Sequence, residues 1–377
     1  MTPGARLAAA IEVLGSIETE RRPAADALKA WGLTHRFAGS GDRAGIAGLV
    51  YDALRRRASS AFLMGADTPR AVLIGMLKRE RGMDTDAIGN LANGVGHAPP
   101  PLTDDERRRL DTGSLDAAPP HVAGDYPEWL DPYFERSFGG DRAEEGAALA
   151  SRAPLDLRTN ALQADRDKVA GMLADLKPEP TRWSPWGLRV RLAADAKSPA
   201  IHAEPAFLKG MIEVQDEGSQ LAALFSVAKA GEQVVDLCAG AGGKTLAVAA
   251  MMENKGQIYA TDDEKRRLAP IYDRLARSGA RNVQVRTPKS VGDAIADLAG
   301  RMDLVLIDAP CTGTGAWRRN PDAKWRMRPG ALEQRVKEQA EILDRAVPLL
   351  KAGGRIAYIT CSVLDEENGA QVRAFLA

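Results

Sequence analysis

From about residue 231 onward, short apolar runs alternate with helical stretches, and this alternation limits the fold more tightly than anything else in the chain. Strands are expected at 233–237, 257–261, 282–286, 303–308 and 355–360, with helices at 245–252, 264–278 and 331–350. Strands that return after a helical crossover pair in parallel, so the region should form a doubly wound, mostly parallel α/β sheet. The run Leu304 to Ile307 is unbroken and apolar, as a strand buried on both faces requires. It ends on Asp308, and Pro310 stops the ladder because it has no N–H to donate. Asp308 and Cys311 therefore fall just past a strand's carboxyl end, the edge where open α/β sheets hold their ligands. The bland alternative is a strand ending in a turn beside an incidental cysteine. Residues 351–354, Lys-Ala-Gly-Gly, are expected to end the last helix, since glycine suits a helix C-terminus.

Residues 234–245, Val-Val-Asp-Leu-Cys-Ala-Gly-Ala-Gly-Gly-Lys-Thr, run from strand through glycine-rich turn into helix. Glycines let the backbone approach a ligand closely, and a helix N-terminus favours negative charge. A phosphate-binding loop would need glycine where Cys238 stands. A dinucleotide fingerprint fits Gly240 and Gly242 but would need glycine at Thr245. The remaining class is S-adenosylmethionine, a small cationic cofactor with a ribose and a free carboxylate. Its ribose needs an acidic residue at the end of the next strand, and Asp262 stands there.

Residues 355–361, Arg-Ile-Ala-Tyr-Ile-Thr-Cys, form a second strand ending on a thiol, Cys361. In a doubly wound sheet this strand should neighbour the one ending at Asp308, so both thiols are expected at one edge beside the cofactor loop. The cysteines number three, Cys238, Cys311 and Cys361. An odd, sparse set is no disulfide framework, and no metal-ligand spacing is present, so no metal is expected. Leu7, Ile11, Leu14 and Ile17 recur at helical spacing, which separates the N-terminus from a signal peptide. Apolar runs are too short to span a bilayer. A reducing, cytoplasmic setting without a membrane follows as the expectation.

Residues 1–140 read as helical. Ile46, Leu49, Val50, Ala53 and Leu54 share one stripe, and Ser40 or Asp42 can cap the start of that helix. It ends in Arg55, Arg56 and Arg57, which are either a solvated helix end or a phosphate contact. Proline clusters at 99–101 and 117–120 mark connecting structure. The four histidines are scattered and have no ligand spacing. Residues 150–230 suggest a smaller mixed unit, with strands at 155–158 and 187–192 and a helix at 165–176. Arg189 and Arg191 would share one face of its sheet, as an RNA surface or as solvated side chains. Lys and Arg together number 51, as do Asp and Glu, so any nucleic acid must be met by local basic patches. Aromatic residues are only 5%, too few for a broad stacking platform.

Three motifs together carry a resemblance: Asp308-Ala-Pro-Cys311-Thr-Gly-Thr-Gly, Thr360-Cys361-Ser, and Cys238-Ala-Gly-Ala-Gly-Gly-Lys-Thr. They are similar to the RsmB/Sun family of RNA cytosine-5 methyltransferases. Residues 212–220, Ile-Glu-Val-Gln-Asp-Glu-Gly-Ser-Gln, and 318–322, Arg-Arg-Asn-Pro-Asp, resemble that family's flanking motifs. The arginine- and leucine-patterned helix at 42–55 resembles the NusB helical RNA-binding domain. The resemblance implies a Rossmann-like methyltransferase domain at 231–377, a small α+β domain in contact with RNA at 141–230, and an all-α NusB-like domain with a connecting segment at 1–140.

The family's chemistry then implies roles. Cys361 is the nucleophile, Cys311 assists proton loss and release, and Asp308 holds the base. Cys238, Ala239, Gly240, Ala241, Gly242, Gly243 and Lys244 hold S-adenosylmethionine, with Asp262 on its ribose, Arg267 and Thr287 as further contacts, and Asp308 alongside. Arg318, Arg319, Lys324, Arg326 and Arg328 grip the RNA backbone, and Trp317 and Trp325 are candidates for stacking on a base. A monomer acting on RNA, ribosomal by resemblance, is expected. The same chemistry on transfer RNA and a non-catalytic role in ribosome assembly stand as alternatives. Three departures accompany the resemblance. Gly240 and Ala241 replace the family's Ala-Pro, Arg286-Thr287-Pro288 replaces an acidic strand end, and the sheet is expected to lack the family's last antiparallel hairpin.

Overall fold

The structure is a computed structural model that describes residues 1–192, 199–288 and 293–377. It divides into two compact units. The first comprises Met1–Ala153, Thr312–Ala331 and Cys361–Asp365; the second comprises Pro154–Cys311, Leu332–Thr360 and Glu366–Ala377.

The second unit contains both sheets. In the smaller one, β1 (Leu155–Thr159), β2 (Glu179–Pro180), β3 (Gly187–Val190) and β4 (Ile212–Val214) are antiparallel in the order β2-β3-β1-β4. Leu157, Leu188, Val190 and Ile212 are buried on it, matching the apolar alternation of the sequence. Its arginines are committed to ion pairs rather than forming a basic face. Arg189 is bidentate to Asp156 at 2.7 and 2.8 Å, and Arg191 pairs with Glu179. The larger sheet has β5 (Gln233–Asp236), β6 (Gln257–Ala260), β7 (Val283–Val285), β8 (Met302–Asp308) and β9 (Leu350–Ile359), all parallel, in the order β7-β6-β5-β8-β9. The order reverses at β5, the crevice position where doubly wound sheets bind ligands. Val234, Val235 and the run Leu304–Ile307 are fully buried, as a two-faced parallel sheet demands.

Two expectations from the sequence need correction. The last long helix ends at Ala346, and residues 351–354 lie inside β9 instead of capping a helix. Between the pairs Met302↔Leu350 and Leu304↔Arg355 the register shifts, so β9 carries an irregular bulge there. Gly353, at φ 77, supplies the left-handed backbone that this bulge uses. The helix expected at 264–278 is broken into Lys265–Leu268 and Ile271–Ser278 around Pro270, which cannot donate a helical hydrogen bond.

The first unit is helical in its amino-terminal part. Leu7, Leu14 and Ile17 of the helix Pro3–Glu20 pack in one buried cluster with Ile46, Leu49, Val50, Ala53 and Leu54 of the helix Ser40–Arg55. Asp42 accepts the Gly39 N–H at 3.3 Å and closes the start of the second of these helices. The arginine triplet after it is neither solvated nor offered to phosphate. Arg55 is buried and donates to the carbonyls of Ser151 and Arg318, Arg56 pairs with Glu80, and Arg57 pairs with Glu18 and Asp67.

Candidate active site

The glycine loop leaves β5 at Asp236, a buried carboxyl that accepts the Thr245 hydroxyl at 2.7 Å. Burial above all, with the nearby Asp308, raises the Asp236 pKa to about 7 against the opposing Thr245 bond. The loop then turns back on itself. Ala239 N–H donates to Thr261 O, and Gly242 N–H to Ala239 O. Gly242 has φ 83, and a Cβ there would meet Ile271 Cγ1 at 2.5 Å. No other residue type fits that position without moving the helix behind it. Arg274 ties the loop to the small sheet, donating to Ala241 O at 2.9 Å and pairing with buried Glu213 at 2.8 Å.

Asp262 ends the β6 crossover as expected and is buried. One of its oxygens accepts Gly240 N–H and the other Glu264 N–H, each at 3.0 Å. Arg267 is exposed and lies 3.7 Å from Asp262. Thr287 meets the Tyr272 hydroxyl at 3.1 Å. A cavity of about 360 Å³ opens between Thr261, Asp262, Asp263, Pro288 and Arg345. A larger cavity of about 940 Å³ lies in the first unit and is lined by neither the glycine loop nor a cysteine. Cys238 is half-buried, and burial together with Asp236 and Asp262 pushes its thiol pKa up, so it stays protonated. Main-chain N–H groups, a buried carboxylate just past β6 and an adjoining cavity suit a nucleoside-bearing cofactor.

Lys244 does not stay free for such a cofactor. Its ammonium donates to Asp308 Oδ2 at 2.6 Å. Asp308 ends β8, and Lys244 opens the helix Gly243–Met251 that follows β5, the strand beside it. Past Asp308 the ladder continues for one more bond, from Ala309 N–H to Ile359 O. Buried Gln339 then donates to Pro310 O at 2.9 Å and to Glu367 at 3.0 Å, which fixes the turn that carries Cys311. On β9, Asp308 pairs in register with Ile359, two residues before Cys361. Cys361 is exposed; its carbonyl accepts Gly315 N–H at 2.9 Å. Asp236, Gln339 and Arg274 escaped the sequence reading. A polar residue closing the apolar run Val234-Val235 was the available signal for Asp236. Gln339 and Arg274 bond to main-chain carbonyls, which leave no mark in sequence.

The basic segment after Cys311 is rearranged relative to the expectation. Lys324 is buried and donates to Arg55 O at 2.9 Å and to Asp125 O at 2.6 Å, so no phosphate reaches it. Trp317 is buried and stacked on Phe134 with centroids 5.8 Å apart, and Trp325 donates to Leu54 O at 2.6 Å. Both tryptophans are therefore packing residues. Arg318 is half-buried and donates to Arg152 O, Arg319 is half-buried, Arg326 pairs with Asp322 at 3.1 Å, and Arg328 is exposed. Among the described residues, no helix is long and apolar enough to cross a membrane, and no group of three or more His, Cys, Asp or Glu is placed to hold a metal ion.

Residues 224–377 match the model of the 16S rRNA methyltransferase RsmB/F family. Ribosomal RNA small subunit methyltransferase B of Salmonella typhi is 36% identical over 255 residues, which is 67% of this chain and 57% of that protein. The chain thus spans little more than half the length of such curated relatives. The crystal structure of PH0851 superposes over all of this chain and 89% of its own, with a TM-score of 0.72 and 25% identity. A methyltransferase homolog protein from Pyrococcus horikoshii covers 68% of this chain and 80% of its own, with a TM-score of 0.58 and 27% identity. Through the glycine loop, the two thiol-bearing strand ends and these relatives, residues 224–377 of the chain belong to the 16S rRNA methyltransferase RsmB/F family.

Proposed function

We propose that the chain transfers a methyl group from S-adenosylmethionine to carbon 5 of a cytosine in RNA, through a covalent bond to Cys361. The observation that carries this reading is the strand order β5-β8-β9. It sets the glycine loop, the Asp308–Cys311 turn and the strand leading to Cys361 at three successive carboxyl ends. The name of the Salmonella relative points to small-subunit ribosomal RNA as the substrate. The chain is read as a monomer working in the cytoplasm.

Carbon 5 of cytosine is a weak nucleophile. Addition of the Cys361 thiolate to carbon 6 forms an S–C bond and moves the ring's electrons onto carbon 5. Bound S-adenosylmethionine supplies a methyl group on a positively charged sulfur, which carbon 5 then takes. Cys311 removes the proton from carbon 5. The electrons of that C–H bond restore the ring double bond and expel Cys361. Asp308 hydrogen-bonds the N3 and amino edge of the base and is held by Lys244. Asp262 takes the ribose hydroxyls, the loop from Cys238 to Gly243 takes the methionine part, and Arg267 and Thr287 flank the cofactor. Arg318, Arg319, Arg326 and Arg328 meet the RNA backbone. The base must be single-stranded or flipped out to reach the thiols.

The test is trapping. Cys311→Ala lets Cys361 attack but stalls release, so a protein–RNA adduct that survives a denaturing gel accumulates. Cys361→Ala gives neither adduct nor methylation, and the double variant gives no adduct. An adduct formed by Cys361→Ala but not by Cys311→Ala reverses the roles. Full activity in both variants removes the covalent mechanism. Absence of tritium transfer from labelled S-adenosylmethionine to any RNA would leave a binding role in ribosome assembly.

A further inference from the structure

One segment of the first unit, residues 314–325, touches both Cys361 and the amino-terminal helices. At its leading end, Gly315 N–H donates to Cys361 O at 2.9 Å and the Thr314 hydroxyl accepts Val363 N–H at 2.8 Å. Thr314 Oγ1 also meets Ser362 Oγ at 3.2 Å. A Cβ on Gly315 would lie 2.8 Å from Cys361 O, so the two backbones are pressed together as closely as glycine permits. Three consecutive residues from Cys361 to Val363 are thereby referenced to the segment.

At its trailing end the same segment is set into the helices. Arg55 Nη1 donates to Arg318 O at 2.6 Å, and Ala24 N–H donates to Asp322 Oδ2 at 3.2 Å. Lys324 Nζ reaches Arg55 O and Asp125 O, and Trp325 Nε1 reaches Leu54 O. Asp125 holds a left-handed backbone at φ 55, and its carboxylate accepts the main-chain N–H and the hydroxyl of Ser59 at 2.9 and 2.8 Å. Burying an amine of lysine is costly, and a leucine or methionine would fill the same space. What lysine adds is direction, because its N–H donors fix two carbonyls from separate helical neighbourhoods to one point.

We infer that the helical first unit positions the nucleophile, and that Lys324 and Arg55 are positioning residues for Cys361 acting through the segment 314–325. The inference rests on the reading of Cys361 as nucleophile. It assigns the amino-terminal helices a part in the chemical step that is separate from any RNA contact they make.

The test uses the whole chain with Lys324→Met and, as a milder change, Trp325→Phe, which keeps an aromatic ring and deletes the bond to Leu54 O. The first readout needs neither RNA nor cofactor: alkylation of Cys361 by iodoacetamide, followed by mass spectrometry with Cys311 as internal reference. Lys324→Met is expected to change the Cys361:Cys311 rate ratio by about threefold or more, since thiol reactivity follows local environment. Trp325→Phe should change it in the same direction by less. The second readout is methylation of a ribosomal RNA transcript, where kcat should fall by about tenfold to a hundredfold with KM for RNA unchanged, as expected for a displaced reacting group. An unaltered alkylation ratio in both variants, with cooperative unfolding retained, overturns the inference. A raised KM at unchanged kcat also overturns it and makes the helices an RNA-binding surface instead. If the wild-type chain methylates no RNA, the alkylation ratio still decides whether the helices position Cys361, so the two readings fail separately.

Discussion

Asp262 accepts two main-chain N–H bonds, one on each oxygen, which leaves two of its four lone-pair sites for the ribose hydroxyls proposed above. Asp262→Ala should weaken S-adenosylmethionine binding by about 1–3 kcal/mol, the range for polar partners left unpaired. Calorimetry giving unchanged affinity would remove the assignment. Its position was legible in the sequence because it follows a strand at a fixed interval from the loop. Lys324 was not, and it was grouped with its basic neighbours. Its partners are carbonyls 269 and 199 residues away, and a carbonyl belongs to every residue alike. Burial, helped by Arg56 and Arg55 and opposed by the attraction of Asp125, lowers its pKa to about 7 from an ordinary 10.5, and Glu80 and Arg79 lie behind them. The unfolded chain therefore binds a proton that the folded chain has lost between those two values. Stability due to this group rises with pH across that window, by up to about 1.4 kcal/mol per pH unit. Urea unfolding from pH 7 to 10 should show that rise in the wild type and a flatter profile in Lys324→Met. Parallel profiles would mean that the amine is protonated in its socket.

At the scale of elements, the strands of the parallel sheet were readable because full burial on two faces leaves only apolar residues to choose from. The observed bounds of β5, β6 and β8 lie within one residue of the apolar runs. Glycine-rich stretches were less reliable, since glycine serves several geometries. In residues 351–354 it makes a strand bulge, whereas at Gly242 it makes the tight turn between β5 and the helix that follows. The helix Gly369–Leu376 gave no strong signal and was missed. Gly242→Ala tests the turn directly. It forces a side chain into φ 83 and against Ile271, and should cost about 1–3 kcal/mol of stability. A denaturation midpoint equal to wild type would show that the loop and the helix behind it yield freely.

For the whole molecule, zero formal net charge means that the proposed RNA affinity must come from a few residues. Replacing Arg319 and Arg328 together with Gln should lower the salt slope of affinity for a ribosomal RNA transcript by about one to two units. An unchanged slope would place the RNA path elsewhere. The chain's threading through the first unit has a further effect, felt before any RNA arrives. Residues 312–331 and 361–365 return to helices made of residues 1–153. On the ribosome those helices emerge first, with the socket formed by Arg55 O and Asp125 O still empty. At about 5–20 residues per second, the roughly 200 residues from Asp125 to Lys324 take about 10–40 seconds to synthesise. Throughout that interval the nascent helices expose the apolar seat of Trp317 and Trp325, so helices made well before that segment are completed only after it.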